Sequence, residues 1–191
     1  MVNPGLTLTL ALALALALIP PSLPLKPRHN PAMTVQDLLA REAIRDTMTR
    51  YHMAGDRLKA ADFAACFTED AIIESEGKPG HYGFRHVGRA AIFQWQNHWP
   101  SAKPPTEARP SPSFVRHHLS TCQIDLSGPD TAPDTAKVRS YWAAWSDNGP
   151  DHSGTYLDDF RREGDIWLIA HRRVRVDWYA PHSLFAPPQK A

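Results

Sequence analysis

The sequence predicts an α+β domain, with helices packed on one curved, mainly antiparallel sheet. Three observations point there. Apolar residues recur at helical spacing early in the chain, at Ala40, Ile44, Met48 and Tyr51. From Phe114 onward the pattern changes to extended runs, broken by turn signals such as Gly149 with Pro150 and Gly164 with Asp165. Helical patterns come first and strands after them, the order of one helical layer on one sheet. At 191 residues the chain is long enough for a sizeable core and short enough for one domain.

Taken in order, Thr34 is placed to cap the first helix, and Asp37 stands where a capping-box carboxylate sits. Gly55 is a natural stop, and Asp56 follows it. Residues 61–67 read as a second short helix, with Phe63 and Phe67 on one side. Thr68, Glu69 and Asp70 break it, and Ala71, Ile72 and Ile73 open a strand. Gly77, Lys78, Pro79 and Gly80 signal a turn. A third helix is expected over residues 90–99, with Ile92, Trp95 and Trp99 on one face. Residues 100–112 hold five prolines and read as a loop, of a length that often serves as a lid or an interface. Four strands follow, over residues 114–126, 136–145, 152–162 and 166–178. In the second of these, Val138, Ser140, Trp142 and Ala144 alternate with Arg139, Tyr141 and Trp145.

Residues 1–32 carry no domain signals, so the domain is expected over 33–180 with a tail over 181–191. Residues 6–19 are an apolar run bounded by Pro20 and Pro21, short for a membrane span and suited to a signal-peptide core. No Lys or Arg precedes it. Three readings stay open: an extension upstream of a true start at Met33, a signal peptide, or a membrane anchor. The two main ones leave a mature domain without a membrane segment, cytoplasmic under the first and exported under the second.

Lys and Arg number 21 against 20 Asp and Glu, which gives no bulk charge to steer nucleic acid or an anionic membrane. The cluster Arg172, Arg173 and Arg175 sits in a strand beside Asp177 and aromatics, and reads as strand and site residues. Cys66 and Cys122, in a predicted helix and a predicted strand, lack CxxC or metal spacing and read as reduced core thiols.

Several residues can carry chemistry. Asp56 ends the first helix in an otherwise apolar stretch, where a carboxyl group can act as general base or acid. Tyr51 lies five residues before it, off its helical face unless the break at Gly55 brings Asp56 round. His117 and His118 are strand neighbours and point to opposite faces. Val115, Leu119 and Thr121 share the parity of His117; Phe114, Ser120 and Cys122 share that of His118. Pattern alone leaves open which histidine faces inward. Only one of Arg172 and Arg173 can face in. Trp95, Trp142 and Tyr156 can wall a pocket for a ring-shaped substrate, with Arg172 as a cation near an oxyanion. His52, Asp56 and His117 are a set of metal-ligating types, but no metal or other cofactor is expected. There is no glycine-rich phosphate loop, GxSxG or HExxH.

Five segments carry a resemblance. They are Arg50-Tyr51 through Gly55-Asp56 and Asp62-Phe63 to Phe67-Thr68-Glu69-Asp70-Ala71; Val87-Gly88-Arg89-Ala90-Ala91-Ile92; Arg116-His117-His118-Leu119; Gly154-Thr155-Tyr156-Leu157-Asp158-Asp159-Phe160; and Arg161 to Trp167 with Ala170 to Val174. In this order they resemble the SnoaL-like proteins of the nuclear-transport-factor-two-like superfamily, over residues 34–178. The resemblance implies a cone-shaped α+β barrel, three N-terminal helices on a curved sheet. It implies His117 as the pocket histidine, because it directly follows the arginine, and a catalytic set of Tyr51, Asp56 and His117. The family's asparagine after this motif is Thr121 here. In epoxide-hydrolase relatives an Asp-Arg-Asp group holds a water, which Asp158 and Asp159 with an arginine could imitate.

The function expected is a cofactor-free lyase or isomerase of the dehydratase kind, acting on a small hydrophobic, hydroxylated or carbonyl substrate by Asp–His proton transfer. The alternative is a non-catalytic module like the small subunits of ring-hydroxylating dioxygenases. The expected partners are a small-molecule substrate and, through the outer sheet face, further copies of the chain. Neither nucleic acid nor a membrane is expected.

Overall fold

The structure is a computed structural model that describes residues 33–75, 83–102, 111–128, 133–183 and 185–186. The expected turn over 77–80, most of the proline-rich loop and the apolar N-terminal run lie outside the described residues.

Helix α1, Val35–Asp56, begins at a reciprocal capping box. Asp37 N–H donates to Thr34 Oγ1 at 3.1 Å, and Thr34 N–H donates to Asp37 Oδ2 at 2.9 Å. Ala40, Ile44, Met48 and Tyr51 are all buried along one face. Gly55 does not stop the helix, which runs on through Asp56. The reversal comes at Leu58, with φ at 55°. Lys59 N–H donates to the Ala54 carbonyl and Leu58 N–H to the Gly55 carbonyl, the paired bonds of a Schellman close.

The second helix is shorter than expected. α2 spans Ala60–Ala64, and Cys66 lies in the turn after it. Strand β1, Phe67–Ser75, takes in the residues expected to break the chain. It can start early because Phe67 pairs with Ile169, and the register shift before Ile72 accommodates Thr68, Glu69 and Asp70. Strand β2, Phe84–Val87, precedes α3, Arg89–Ala102, which runs past Pro100 instead of ending there. Only two helical residues follow that proline, which has no N–H to bond the Gln96 carbonyl.

Strands β3, Val115–Ser127, β4, Thr135–Ser146, β5, Gly149–Glu163, and β6, Ile166–Tyr179, form an antiparallel meander. The sheet is curved and unclosed, in the order β2-β1-β6-β5-β4-β3. Only the β1–β6 pair is parallel among the described strands. The helices close its concave side through a core that includes Ile44, Met48, Phe63, Phe67, Ile73, Ile92, Trp142 and Ile169. Each fully buried side chain of this size contributes about 1.5–3 kcal/mol. The alternation expected in β4 holds: Val138, Ser140, Trp142 and Ala144 are buried, and Arg139, Tyr141 and Trp145 are exposed. Both cysteines are free thiols.

The chain beyond β6 is not a loose tail where it is described. Ala180 N–H donates to the Asp151 carbonyl at 2.7 Å, and the Ser183 hydroxyl donates to Asp151 Oδ2 at 2.6 Å. No helix among the described residues is long and apolar enough to cross a membrane.

Candidate functional site

The site grows from the point where the end of α1 meets β3. Asp56 holds His117 twice: Oδ1 lies 2.6 Å from Nδ1, and Oδ2 accepts the His117 backbone N–H at 3.0 Å. The Asp56 side chain is only 7% exposed and that of His117 22%. The double grip fixes the backbone and the ring of His117 together. It requires the Nδ1–H tautomer or the imidazolium, so Nε2 is the position that exchanges a proton with anything else. No hydrogen bond from the described residues reaches that nitrogen. His118 is exposed on the other side of the strand.

The parity expected along β3 breaks after Leu119. Leu119 pairs with Trp142 and Cys122 with Ser140, so Ser120 and Thr121 together face one residue, Tyr141, across the ladder. This bulge moves Cys122 onto the face of His117 and turns Thr121 outward, where it is exposed.

Aromatic rings crowd around the histidine. His52 lies 5.6 Å from His117 between ring centroids, Trp142 5.7 Å and His152 5.4 Å. Trp142 stacks on Tyr156 at 5.3 Å. His52 is buried; that burial, with Arg172 and His117 nearby, drives its pKa well below the ordinary value, so the ring is neutral. Among the described residues no group of three acidic, Cys or His side chains is placed to hold a metal, and the Asp56 carboxylate is turned to His117 rather than to His52.

Arg172 faces in and Arg173 faces out. Arg172 is fully buried and spans Asp158 with two bonds, of 2.8 Å from Nε and 2.6 Å from Nη2. Its guanidinium lies 4.0 Å from the Tyr51 ring centroid and 4.1 Å from that of Tyr156. Burial opposes its charge, but Asp158 outweighs burial and keeps it protonated. Burial pushes both tyrosine hydroxyls above their ordinary range. Arg172 is thus the centre of a sandwich, bonded to Asp158 through Nε and Nη2, while its buried Nη1 has no hydrogen-bond partner among the described residues. Tyr51 likewise presents its ring to Arg172, not to Asp56. Asp159 points the other way, to Lys137 and Arg173, so Asp158 and Asp159 do not flank one arginine inside the cone. Trp95 lies apart from His117, stacked on Phe84 at 4.9 Å and His86 at 5.0 Å.

The structure therefore brings together Asp56, His117, Trp142 and Tyr156, with Tyr51 and Arg172 behind Tyr156. His52, which the sequence offered only as a metal-ligating type, joins the cluster from the helix as a neutral ring. What escapes a reading of the sequence is Asp151 with His152, whose adjacent burial breaks strand alternation just after Gly149 and Pro150. That Asp-His pair beside a turn was the available signal.

Solved structures share this architecture. A putative scytalone dehydratase from Novosphingobium aromaticivorans is 23% identical, covering 76% of this chain and 89% of that one, with a TM-score of 0.58. The β subunit of a putative aromatic-ring-hydroxylating dioxygenase from the same organism is 15% identical over 80% and 98%, with a TM-score of 0.59. A hexachlorocyclohexane dehydrochlorinase from Novosphingobium barchaimii is 14% identical over 76% and 91%, with a TM-score of 0.57. These likenesses are of fold. No curated protein is similar enough to match the chain. Residues 36–173 match the model of the SnoaL-like domain, and the chain belongs to that family.

Proposed function

We propose that the domain is a lyase of the dehydratase type, acting on a small hydrophobic β-hydroxy carbonyl compound without a cofactor. The observation that carries this reading is the 2.6 Å contact between Asp56 and His117 at the edge of an aromatic interior. A carboxylate on Nδ1 fixes the tautomer and aims Nε2, which is what proton abstraction next to a carbonyl needs. Trp142 and Tyr156 supply the apolar wall. Two of the structural neighbours bear the names of eliminating enzymes, a dehydratase and a dehydrochlorinase, which supports the reaction class by analogy of fold.

A second reading is a non-catalytic subunit. It is favoured by the outer sheet face, where Tyr141, Trp145 and Trp178 are each about half exposed. The same face is our proposal for contact between copies of the chain.

The test uses the aldol of acetone and benzaldehyde, whose dehydration to benzylideneacetone is followed by ultraviolet absorption. Asp56→Asn and His117→Ala should each lower kcat/KM by about 100-fold or more. The double variant should be little worse than either single one. His118→Ala should stay near the parent. Equal turnover by all the variants, or by none of the proteins, favours the subunit reading.

A further inference from the structure

His117 is not the only carboxylate-held histidine on the concave face. In the ladder His117 pairs with Ala144, and Ala144 pairs with His152. The two histidines therefore lie in one row across three strands, with a methyl group between them. Ala144 leaves the space into which both rings lean, and their centroids are 5.4 Å apart at 85°. A larger residue there would keep them apart.

Adjacent residues of a strand normally face opposite sides, yet Asp151 and His152 are both buried. The reason is a bulge. Trp145 pairs with Pro150 and Ala144 with His152, so Asp151 has no opposite number. Freed from the ladder, Asp151 turns in and puts Oδ2 2.6 Å from His152 Nδ1. Burial pushes the Asp151 carboxyl up, but the bonds from His152 and Ser183 outweigh it and hold the group below its ordinary value. The His152 ring is then packed by Trp142 at 5.2 Å, Phe185 at 4.4 Å and Tyr179 at 6.1 Å. A clip for the C-terminal segment would need only Ser183 and Asp151. It would not need an imidazole placed edge-on to a second, carboxylate-held imidazole.

We propose that His152 is a second catalytic residue of this site, the acid that protonates the departing oxygen while His117 takes the carbon-bound proton. The inference rests on the elimination reading above. Hydroxide is a poor leaving group, so dehydration needs an acid as well as a base. In the step, His117 Nε2 removes the proton next to the carbonyl, and that C–H electron pair becomes the new C=C bond. The C–O bond breaks with its electrons on oxygen, and the His152 imidazolium gives that oxygen its proton. Water leaves. His117 then loses its proton to solvent and His152 regains one, which restores the starting state. Asp151, kept ionised, stabilises the imidazolium form of His152.

The test separates acid from base by leaving group. Beside the aldol, a second probe carries para-nitrophenoxide in place of its hydroxyl, a group that departs without a proton and gives the same benzylideneacetone. His152→Gln should lower turnover of the aldol by about 100-fold and that of the nitrophenyl ether by only a few-fold. Asp151→Asn, which keeps the shape of the buried pair, should show the same selectivity to a lesser degree and stands in should His152→Gln not fold. His117→Ala should depress both probes. Equal loss on both probes, or no loss, in the His152 and Asp151 variants overturns the inference and leaves the elimination reading intact. A His117→Ala protein as active as the parent sinks the reading itself. Should neither probe turn over, benzylideneacetone is titrated against histidine-labelled protein by NMR. The His117 and His152 ring signals should then shift together with one affinity. Movement of His117 alone overturns the role of His152, and movement of neither overturns both proposals.

Discussion

The Trp142 indole lies against the backbone of Gly154, its partner in the ladder. A Cβ on Gly154 would stand 2.8 Å from Trp142 Cζ2 and would also collide with the Arg175 carbonyl oxygen. The backbone oxygen cannot swing aside as a flexible side chain could. Gly154→Ala is therefore expected to cost about 3 kcal/mol, at the upper end for overpacking. Denaturant unfolding measures it. Near-parent stability would show that the β5–β6 bulge between Ser153 and Gly154 can relax.

The buried Arg172–Asp158 pair makes a sharper test. Asp158→Ala leaves the guanidinium between Tyr51 and Tyr156 without its counter-ion, at a cost of about 3–5 kcal/mol. Replacing both, Arg172→Met with Asp158→Leu, should restore most of that loss, because the desolvation penalty disappears with the charges. A double variant as unstable as the single one would mean that the ion pair contributes net stability.

His52 sets a pH dependence. Its folded pKa is well below 6.5, while the unfolded chain takes up the proton near 6.5. The unfolded state thus binds more protons below that pH. Stability contributed by neutral His52 is present above about pH 6.5 and falls as pH drops, by about 1.4 kcal/mol per unit for one proton. His52→Gln should flatten this slope between pH 6.5 and 5. An unchanged slope would assign it to other groups.

Leu58 carries a left-handed backbone at the position of the Schellman close where glycine is favoured. Its side chain is 53% exposed, so little packing is lost on its removal. Leu58→Gly should raise stability by about 1 kcal/mol. A lower melting temperature would show that the flexibility gained by the unfolded chain outweighs the relieved strain.

Much of the architecture could be read from side-chain periodicity. The spacing of Ala40, Ile44, Met48 and Tyr51 gave the buried face of α1. The alternation around Trp142 gave the inner face of β4. Thr34 and Asp37 marked the helix start because a capping box is local chemistry. Features set by distant pairing were not legible. The bulge at Ser120 and Thr121 depends on register with β4, and it reversed the parity expected for Thr121 and Cys122. The early start of β1 depends on Ile169. The end of α1 depends on the chain adopting a strained turn at Leu58 while an available glycine at 55 stays helical. In the site, Asp56 and His117 stood out as residue types, and the family motif pointed to His117 over His118. The Asp151–His152 pair was hidden because strand alternation sends adjacent residues to opposite faces.

The parallel pairing of β1 with β6 has a kinetic consequence. β3 to β6 are linked by short connections and can zip as successive hairpins from local contacts. β1 must instead find a strand nearly a hundred residues away, as the register of Ile72 with His171 requires. Such distant closures come slowly, since the chain loses loop entropy before the contacts reward it. The Asp56–His117 contact spans 61 residues and also depends on α1 docking over the finished meander. His117, Ala144 and His152 should therefore share a row before Asp56 arrives. Pulsed hydrogen exchange during refolding would then protect amides of β4 and β5 ahead of the His117 N–H, which waits for a carboxylate from the far end of the helix.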